Sequence, residues 1–183
     1  MSNFYIIGNP VSQSKSPTLF EYIFKKMNID AQYKSKKINS VNNLLDFIKT
    51  YERLNIQGIN ITMPLKETIC PYIDIFDENA KIIQSINCIH FKNNQLLGYN
   101  NDYYGFNKLI DRHQIAMKDS NNIVIGSGGS ARAIILSLIH HKVKNIYILS
   151  RNVAQMKRLI QDISPYAEET KLHIFNHSFL QDE

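Results

Sequence analysis

Asn122-Ile123-Val124-Ile125 is a short apolar run that passes directly into Gly126-Ser127-Gly128-Gly129-Ser130-Ala131, and then into a segment, Arg132 to His141, with Ile134, Ile135, Leu138 and Ile139 at helical spacing. An apolar strand, a glycine turn and an amphipathic helix in that order begin a βαβ unit, which commits the chain to an α/β architecture with parallel strands. The glycine pattern is G-x-G-x-x-A, and each fixed position has a steric reason. Gly126 makes the tight turn, Gly128 lets a pyrophosphate approach the backbone, and Ala131 lets the helix pack closely on the strand. Residues 126–131 therefore predict a dinucleotide site.

The next apolar run, Asn145 to Leu149, ends in Ser150-Arg151-Asn152. An NAD-specific fold places an acidic residue at about this point, where it binds the ribose 2′-hydroxyl. Here an arginine stands ready and no carboxylate does. A guanidinium pairs with phosphate through a charge-assisted fork, which favours the 2′-phosphate of NADP. The alternative is a solvated arginine. A helix from about Val153 to Ile163 and a strand from Lys171 to Phe175 follow. About three strands can be drawn here against about six in a full dinucleotide fold, so this domain is expected to be incomplete.

Upstream, Gly58-Ile59-Asn60-Ile61-Thr62-Met63-Pro64-Leu65-Lys66-Glu67 reads as a strand followed by a helix start. Ile59, Ile61 and Met63 alternate with Asn60 and Thr62, giving one apolar face and one hydrogen-bonding face. Pro64 cannot continue a ladder but fits a first helical turn. Lys66 then stands about one turn beyond the strand end, where ligands bind in open α/β sheets. The plainer alternative is a surface strand with a solvated lysine.

Phe4 to Ile7 is a short strand closed by Gly8-Asn9-Pro10. Ser16-Pro17 predicts a helix start, with Ser16 as cap and Leu19, Tyr22, Ile23 and Met27 on the inner face. Ser14 has no capping duty, and two hydroxyls beside free backbone N–H groups make a seat for a carboxylate or phosphate. Ala31 to Lys37 is a second strand, and Ser40 caps a helix running to about Leu54. Ser85 to Phe91 and Leu96 to Asn100 read as strands around the turn Lys92-Asn93-Asn94-Gln95. Asn87 is an uncommon polar residue within the first of them. Asn100-Asn101-Asp102 closes the second, and Tyr103 to Arg112 reads as a helix. The alternation predicts an α/β fold: an N-terminal, mostly parallel domain over residues 1–103, followed by a Rossmann dinucleotide-binding domain over residues 104–183.

Composition excludes more than it selects. Hydrophobic content of 44% and charged content of 20% fit a soluble globular chain. No apolar run approaches a membrane span and no basic-then-apolar leader opens the chain, so a cytoplasmic location is expected. Cys70 and Cys88 have no metal-ligand spacing and read as thiols in a reducing compartment. The net charge of +5 suits an anionic small molecule, since the basic residues are scattered and form no stripe with interleaved aromatics. Nucleic acid and membrane are not expected as partners. His140-His141 is expected to face solvent, and His173 and His177 do not form a helical metal pair, so no metal is expected.

Read together, Gly8-Asn9-Pro10 with Ser14-Lys15-Ser16-Pro17, Gly58-x-Asn60-x-Thr62-x-Pro64-x-Lys66, Asn87, Gly98-Tyr99-Asn100-Asn101-Asp102, Gly126 to Ala131 and Ser150-Arg151-Asn152 closely resemble the shikimate dehydrogenases in order and spacing. The resemblance implies reversible NADPH-dependent reduction of 3-dehydroshikimate to shikimate, on the route to aromatic amino acids. It implies that Ser14 and Ser16 hold the substrate carboxylate and that Asn60, Thr62, Asn87 and Asp102 hold ring hydroxyls. It makes Lys66, paired with Asp102, the general acid–base, and sets Glu78 at the nicotinamide side. Cofactor contacts would come from Gly126, Ser127, Gly128, Gly129, Ser130, Ala131, Ser150, Arg151 and Asn152.

The departures are specific. Asn101 and Cys88 stand where the family usually has threonine, Ser127 and Ser130 where it often has alanine, and Gln155 where a second basic residue often follows the arginine. The family's later segments are absent: the loop over the nicotinamide, a glutamine and a tyrosine that touch substrate, and a helix returning to the first domain. The chain as it stands is therefore expected to have little or no dehydrogenase activity. A non-catalytic remnant binding a shikimate-like acid, and a quinate/shikimate dehydrogenase with mixed cofactor use, are the alternatives. Both a monomer and a homodimer stay open.

Overall fold

β1 (Ser2–Gly8) is the strand around which the first half of the chain assembles. β2 (Ala31–Lys37) lies parallel to it on one side and β3 (Ile56–Ile61) parallel on the other. In this computed structural model, which describes residues 1–176, the sheet continues through β4 (Ile75–Phe76), β5 (Cys88–Lys92) and β6 (Gln95–Tyr99). Its order is β2-β1-β3-β5-β6-β4. β5 runs antiparallel to both β3 and β6. The tight turn between β5 and β6 places Asn93 and Asn94 at φ 51° and 60°, a left-handed conformation that asparagine tolerates. One consequence is positional: the beginning of β5 lies beside the carboxyl end of β3.

Two helices cover opposite faces of this sheet. α1 (Ser16–Lys26) brings Phe24 onto Phe4 and stacks Phe20 on Tyr33. α2 (Val41–Ile48) packs on the other face, where Phe47 meets Tyr5 edge-on. Phe4 and Tyr5 are consecutive in a strand and so point to opposite sides. The α1 contact face therefore runs through Phe20, Ile23 and Phe24. The expected inner residues Leu19, Tyr22 and Met27 are exposed instead, because the aromatic pair decides which stripe faces the sheet. Ser40 caps α2 as expected, accepting from Asn43 N at 3.3 Å, but the helix ends at Ile48 and turns carry the chain to β3.

The helix expected after Pro64 does not form. Met63 lies beyond the end of β3 and is 62% exposed, so it does not share the apolar face of Ile59 and Ile61. Successive turns follow instead, from Leu65 N to Thr62 O and Ile69 N to Leu65 O, ending in a 3-10 turn at Cys70–Tyr72. Leu65 and Ile69 are fully buried and anchor this segment.

The chain divides into two units. Residues Met1–Asp77 and Ile86–Tyr99 form the first, and Glu78–Ser85 joins the residues from Asn100 onward in the second. The sequence expectation had put the break near residue 103 and kept residues 78–85 with the first domain. Those residues form α3 (Glu78–Ile83), whose Ile83 packs with Ala133 and Leu136 of the second unit.

The second unit holds a parallel sheet in the order β7-β8-β9, with β7 (Asn121–Ile125), β8 (Asn145–Ser150) and β9 (Lys171–Asn176). α4 (Asn101–Arg112), α5 (Gly129–His140) and α6 (Val153–Ile163) complete it. Val124, Ile146 and Ile148 pack beneath Ile135, Leu138 and Ile139 of α5 and Met156, Leu159 and Ile163 of α6. Their strand neighbours Ile123 and Ile125 point the other way and are 69% and 86% exposed. Among the described residues no helix is long and apolar enough to cross a membrane, and no group of three or more metal-ligating side chains gathers. Cys70 and Cys88 form no disulfide. His173 lies within β9, stacks on Tyr147 and bonds Asn145 Oδ1; His177 lies outside the described residues.

Candidate active site

The polar residues singled out in the first unit collect at one end of its sheet. β1 and β3 are parallel, so the loop after β1 and the turns after β3 leave from the same end. Thr62 N donates to Ile7 O at 2.8 Å, and Asn9 N donates to Met63 O at 2.8 Å. This lock needs Gly8. A Cβ there would collide with Thr62 Cγ2 and lie 2.7 Å from Met63 O. The glycine thus brings the Thr62 segment against the end of β1.

Asn87 is not inside a strand. It immediately precedes β5, where its backbone joins three pieces of chain. Its N–H donates to Tyr99 O at 3.0 Å, and its carbonyl accepts from Ile61 N at 2.9 Å and from Asn60 Nδ2 at 3.3 Å. Lys66, half-buried, is tied by its carbonyl to Ile86 N at 2.7 Å. Asn60, Thr62, Lys66 and Asn87 are therefore held by ladder-type bonds rather than by loose loops.

The serines close the cluster. Lys15, not Ser16, is the N-cap of α1, and Ser16 is the first helical residue. Ser14 does have a local duty: its Oγ accepts from Ser16 N at 3.2 Å, in the manner of a cap. The Ser16 side chain stands close enough to the Tyr33 phenol to act on its titration. Tyr33 Oη in turn donates to Asn60 Oδ1 at 2.6 Å. Burial pushes the Tyr33 hydroxyl well above the ordinary phenol range. The Ser16 side chain opposes this, and the nearby Cys88 thiol adds to it. Tyr33 was not singled out in the sequence. It is the lone aromatic in Ala31-Gln32-Tyr33-Lys34-Ser35-Lys36-Lys37, and nothing local shows that its partners come from α1 and β3.

In the second unit, the glycine turn has the expected geometry. Gly126 sits at φ +120°, which L side chains rarely adopt, and its N–H donates to Leu149 O at 2.7 Å. Gly128 is the N-cap of α5, so the helix begins at Gly129 and includes Ser130 and Ala131 rather than starting at Arg132. No side chain caps this helix start, which leaves its N–H groups directed at the space an anion takes. Ala131 packs against the unit's core. Buried Ser127 joins the turn to the end of β8, with Oγ 2.7 Å from Ser150 Oγ and 3.3 Å from Gln155 Oε1. Ser150 also accepts from Asn152 N, and Asn152 caps α6 by accepting from Gln155 N at 3.0 Å. Arg151 stands exposed between these two locally engaged residues.

Asp102 belongs to this second unit as well, in the first turn of α4. The buried side chain of Asn100 caps that helix, accepting from Asp102 N at 3.0 Å and Tyr103 N at 3.4 Å while donating to Ser85 O at 2.7 Å. Ser130 Oγ donates to Asp102 Oδ2 at 2.9 Å, linking the carboxylate to the glycine-rich helix. Glu78 is the exposed first residue of α3. His140 and His141, expected in solvent, each bond α4: His140 Nδ1 lies 2.6 Å from Tyr103 Oη, and His141 Nε2 lies 2.8 Å from Asn107 Oδ1. Asn100 was read only as a strand end, although its place just before a helix start is a capping signal.

Comparison with known proteins finds this chain similar to shikimate dehydrogenases. Residues 6–89 match the model of the shikimate dehydrogenase substrate binding domain. The chain is 36% identical over 153 residues to the shikimate dehydrogenase (NADP(+)) of Clostridium beijerinckii, covering 84% of this chain and 56% of that protein. It is 34% identical over 179 residues to that of Clostridium perfringens, covering 94% of this chain and 65% of that protein. A shikimate dehydrogenase structure from Aquifex aeolicus superposes with a TM-score of 0.83 at 29% identity, over 96% of this chain and 63% of that one. Another, solved in complex with NADP+, gives 0.83 at 29% identity, over 95% of this chain and 61% of that one. The chain thus spans between 56% and 65% of the length of these two curated relatives.

Proposed function

We propose that this chain, whose residues 6–89 match the shikimate dehydrogenase substrate binding domain, serves the NADP-dependent interconversion of 3-dehydroshikimate and shikimate, on the route to aromatic amino acids. The observation that carries this reading is the gathering of Ser14, Ser16, Asn60, Thr62, Lys66 and Asn87 at one end of a single sheet. Hydroxyls and a helix start suit a carboxylate; carboxamides and a threonine suit ring hydroxyls. Ser14 and Ser16 take the carboxylate, and Asn60, Thr62, Asn87 and Asp102 take the hydroxyls.

The uncapped glycine turn at Gly126–Ala131 fits a pyrophosphate, and the exposed Arg151 at the end of β8 fits a 2′-phosphate. Ser127, Ser150 and Asn152 hold that end of the sheet in shape. Glu78 borders the nicotinamide. When bound, the dinucleotide supplies or accepts the hydride. Lys66 does the proton work: its ammonium gives a proton to the ketone oxygen as that oxygen becomes a hydroxyl, and its amine takes the proton back in the reverse direction. Asp102, its partner in this reading, favours the ammonium form by its negative charge.

The test separates binding from turnover. Titration of the 183-residue chain with shikimate and with NADP is expected to show saturable binding of both. NADPH formation from shikimate is followed in parallel, with quinate and NAD as alternatives. Saturable binding of neither ligand would overturn the proposal, and quinate or NAD used as well as shikimate and NADP would redirect it to the mixed-specificity reading.

A further inference from the structure

We propose that Tyr33 is a positioning residue of the substrate site: its phenol anchors the oxygen end of the Asn60 carboxamide and so fixes where that amide presents its remaining N–H. This rests on the function proposed above for Asn60. Tyr33 has no direct place in that reading, since its ring is 3% exposed and its hydroxyl is taken up by protein groups.

The argument begins with the ring. Tyr33 and Phe20 stack at 4.4 Å with planes 3° apart, so the phenol has little freedom to swing. Its hydroxyl has one hydrogen to donate, and that hydrogen goes to Asn60 Oδ1 at 2.6 Å. A carboxamide whose oxygen is claimed must present its NH2 elsewhere. One of those hydrogens goes to the Asn87 carbonyl at 3.3 Å. The second is then a donor, and it can only be a donor, toward a ligand oxygen. Without the phenol the amide keeps only its bond to the Asn87 carbonyl, and the oxygen end of the carboxamide loses its anchor.

Tyr33, reaching from β2, thus anchors the residue of β3 that is assigned to a ring hydroxyl.

Tyr33→Phe is the direct probe, because it keeps the stacked ring and removes only the oxygen. Two measurements on the 183-residue chain are needed. Without ligand, the side-chain NH2 signals of Asn60 in a nitrogen–proton NMR spectrum are expected to move and broaden in Tyr33→Phe; unchanged signals would overturn the proposal whatever the substrate is. With shikimate, the dissociation constant is expected to rise about tenfold in Tyr33→Phe, the scale of one orphaned buried hydrogen-bonding group. In the Asn60→Ala background the same substitution is expected to change affinity by about twofold or less, because the group it positions has gone. An equal loss in both backgrounds would show that the hydroxyl acts by itself and would overturn the proposal. If the unsubstituted chain does not bind shikimate, the function proposed above fails, and Tyr33 has no substrate to position; the ligand-free spectrum still reports the Tyr33–Asn60 link separately.

Discussion

Ser127 Oγ and Ser150 Oγ lie 2.7 Å apart, both buried, and so tie the glycine turn after β7 to the end of the neighbouring strand β8. In the proposed function these are the two places that hold the pyrophosphate and the 2′-phosphate of the dinucleotide. Ser127→Ala leaves Ser150 with its bond from Asn152 N and strips Gln155 Oε1 of one donor. The expected outcome is a loss of about 1 kcal/mol of stability, read as a lower denaturant midpoint with an unchanged slope. NADP affinity is expected to fall with it, because the spacing of the two phosphate seats loosens. A midpoint equal to that of the unsubstituted chain would show that the pair contributes nothing.

In the proposed function, cofactor choice turns on Arg151. Arg151→Ala is expected to weaken NADP binding while leaving NAD binding nearly unchanged, since only NADP offers a 2′-phosphate. Competition titrations with the two dinucleotides check this. Equal losses for both would show that the guanidinium packs on the adenine or on nothing.

Lys66→Ala addresses the proton transfer. In a form of the protein that turns over, the rate is expected to drop by roughly 10²–10⁴ while shikimate affinity stays within several-fold. The turns that position Lys66 are anchored by Leu65 and Ile69, so truncation of the lysine leaves the segment in place. Near-normal turnover would remove Lys66 from the acid–base role.

His140 offers a pH handle in the second unit. Burial lowers its pKa below the ordinary 6.5; Glu168 opposes this and His141 adds to it. With its proton on Nε2 the neutral ring accepts from Tyr103 Oη through Nδ1, and protonation removes that acceptor. A lowered folded-state value means that stability is complete above 6.5 and is lost as pH falls below it, because the unfolded chain takes up the proton first. Melting temperatures across this range are expected to fall more steeply for the unsubstituted chain than for His140→Gln. Parallel curves would assign the acid sensitivity to other groups.

Much of this architecture was legible in the sequence, and the parts that were not share a cause. The strand–glycine turn–helix at residues 122–141 announces itself because each step is local: an apolar run, a backbone that only glycine adopts, an apolar stripe. β2 and α6 were legible for the same reason. α1 was placed correctly but turned to the wrong face, since its stripe is chosen by Phe4 and Tyr33 on strands far along the chain. The turns after Pro64 look like a helix start to any local rule. What displaces the helix is the docking of Thr62 and Met63 onto β1 and the tie from Ile86 to Lys66. Of the site residues, Ser14, Asn60 and Lys66 stood out by type and place. Tyr33 and Asn100 did not, because what marks them is the company their side chains keep across more than ten residues of intervening chain.

Arg132 has a consequence for how this polypeptide can be divided. Its guanidinium is 2% exposed, donates to the carbonyl of Ile83 in α3, and pairs with Asp162 in α6. α3 is encoded inside the stretch that otherwise builds the first unit, so the backbone passes from one unit to the other at three points rather than one. No single cut yields both halves whole. A fragment opening at Asn100 would inherit a buried cation stripped of one acceptor and an apolar patch at Ala133 and Leu136 without its cover. A gene fusion or domain exchange that respects this protein therefore has to carry the eight residues Glu78–Ser85 along with the half they serve, not the half they are written in.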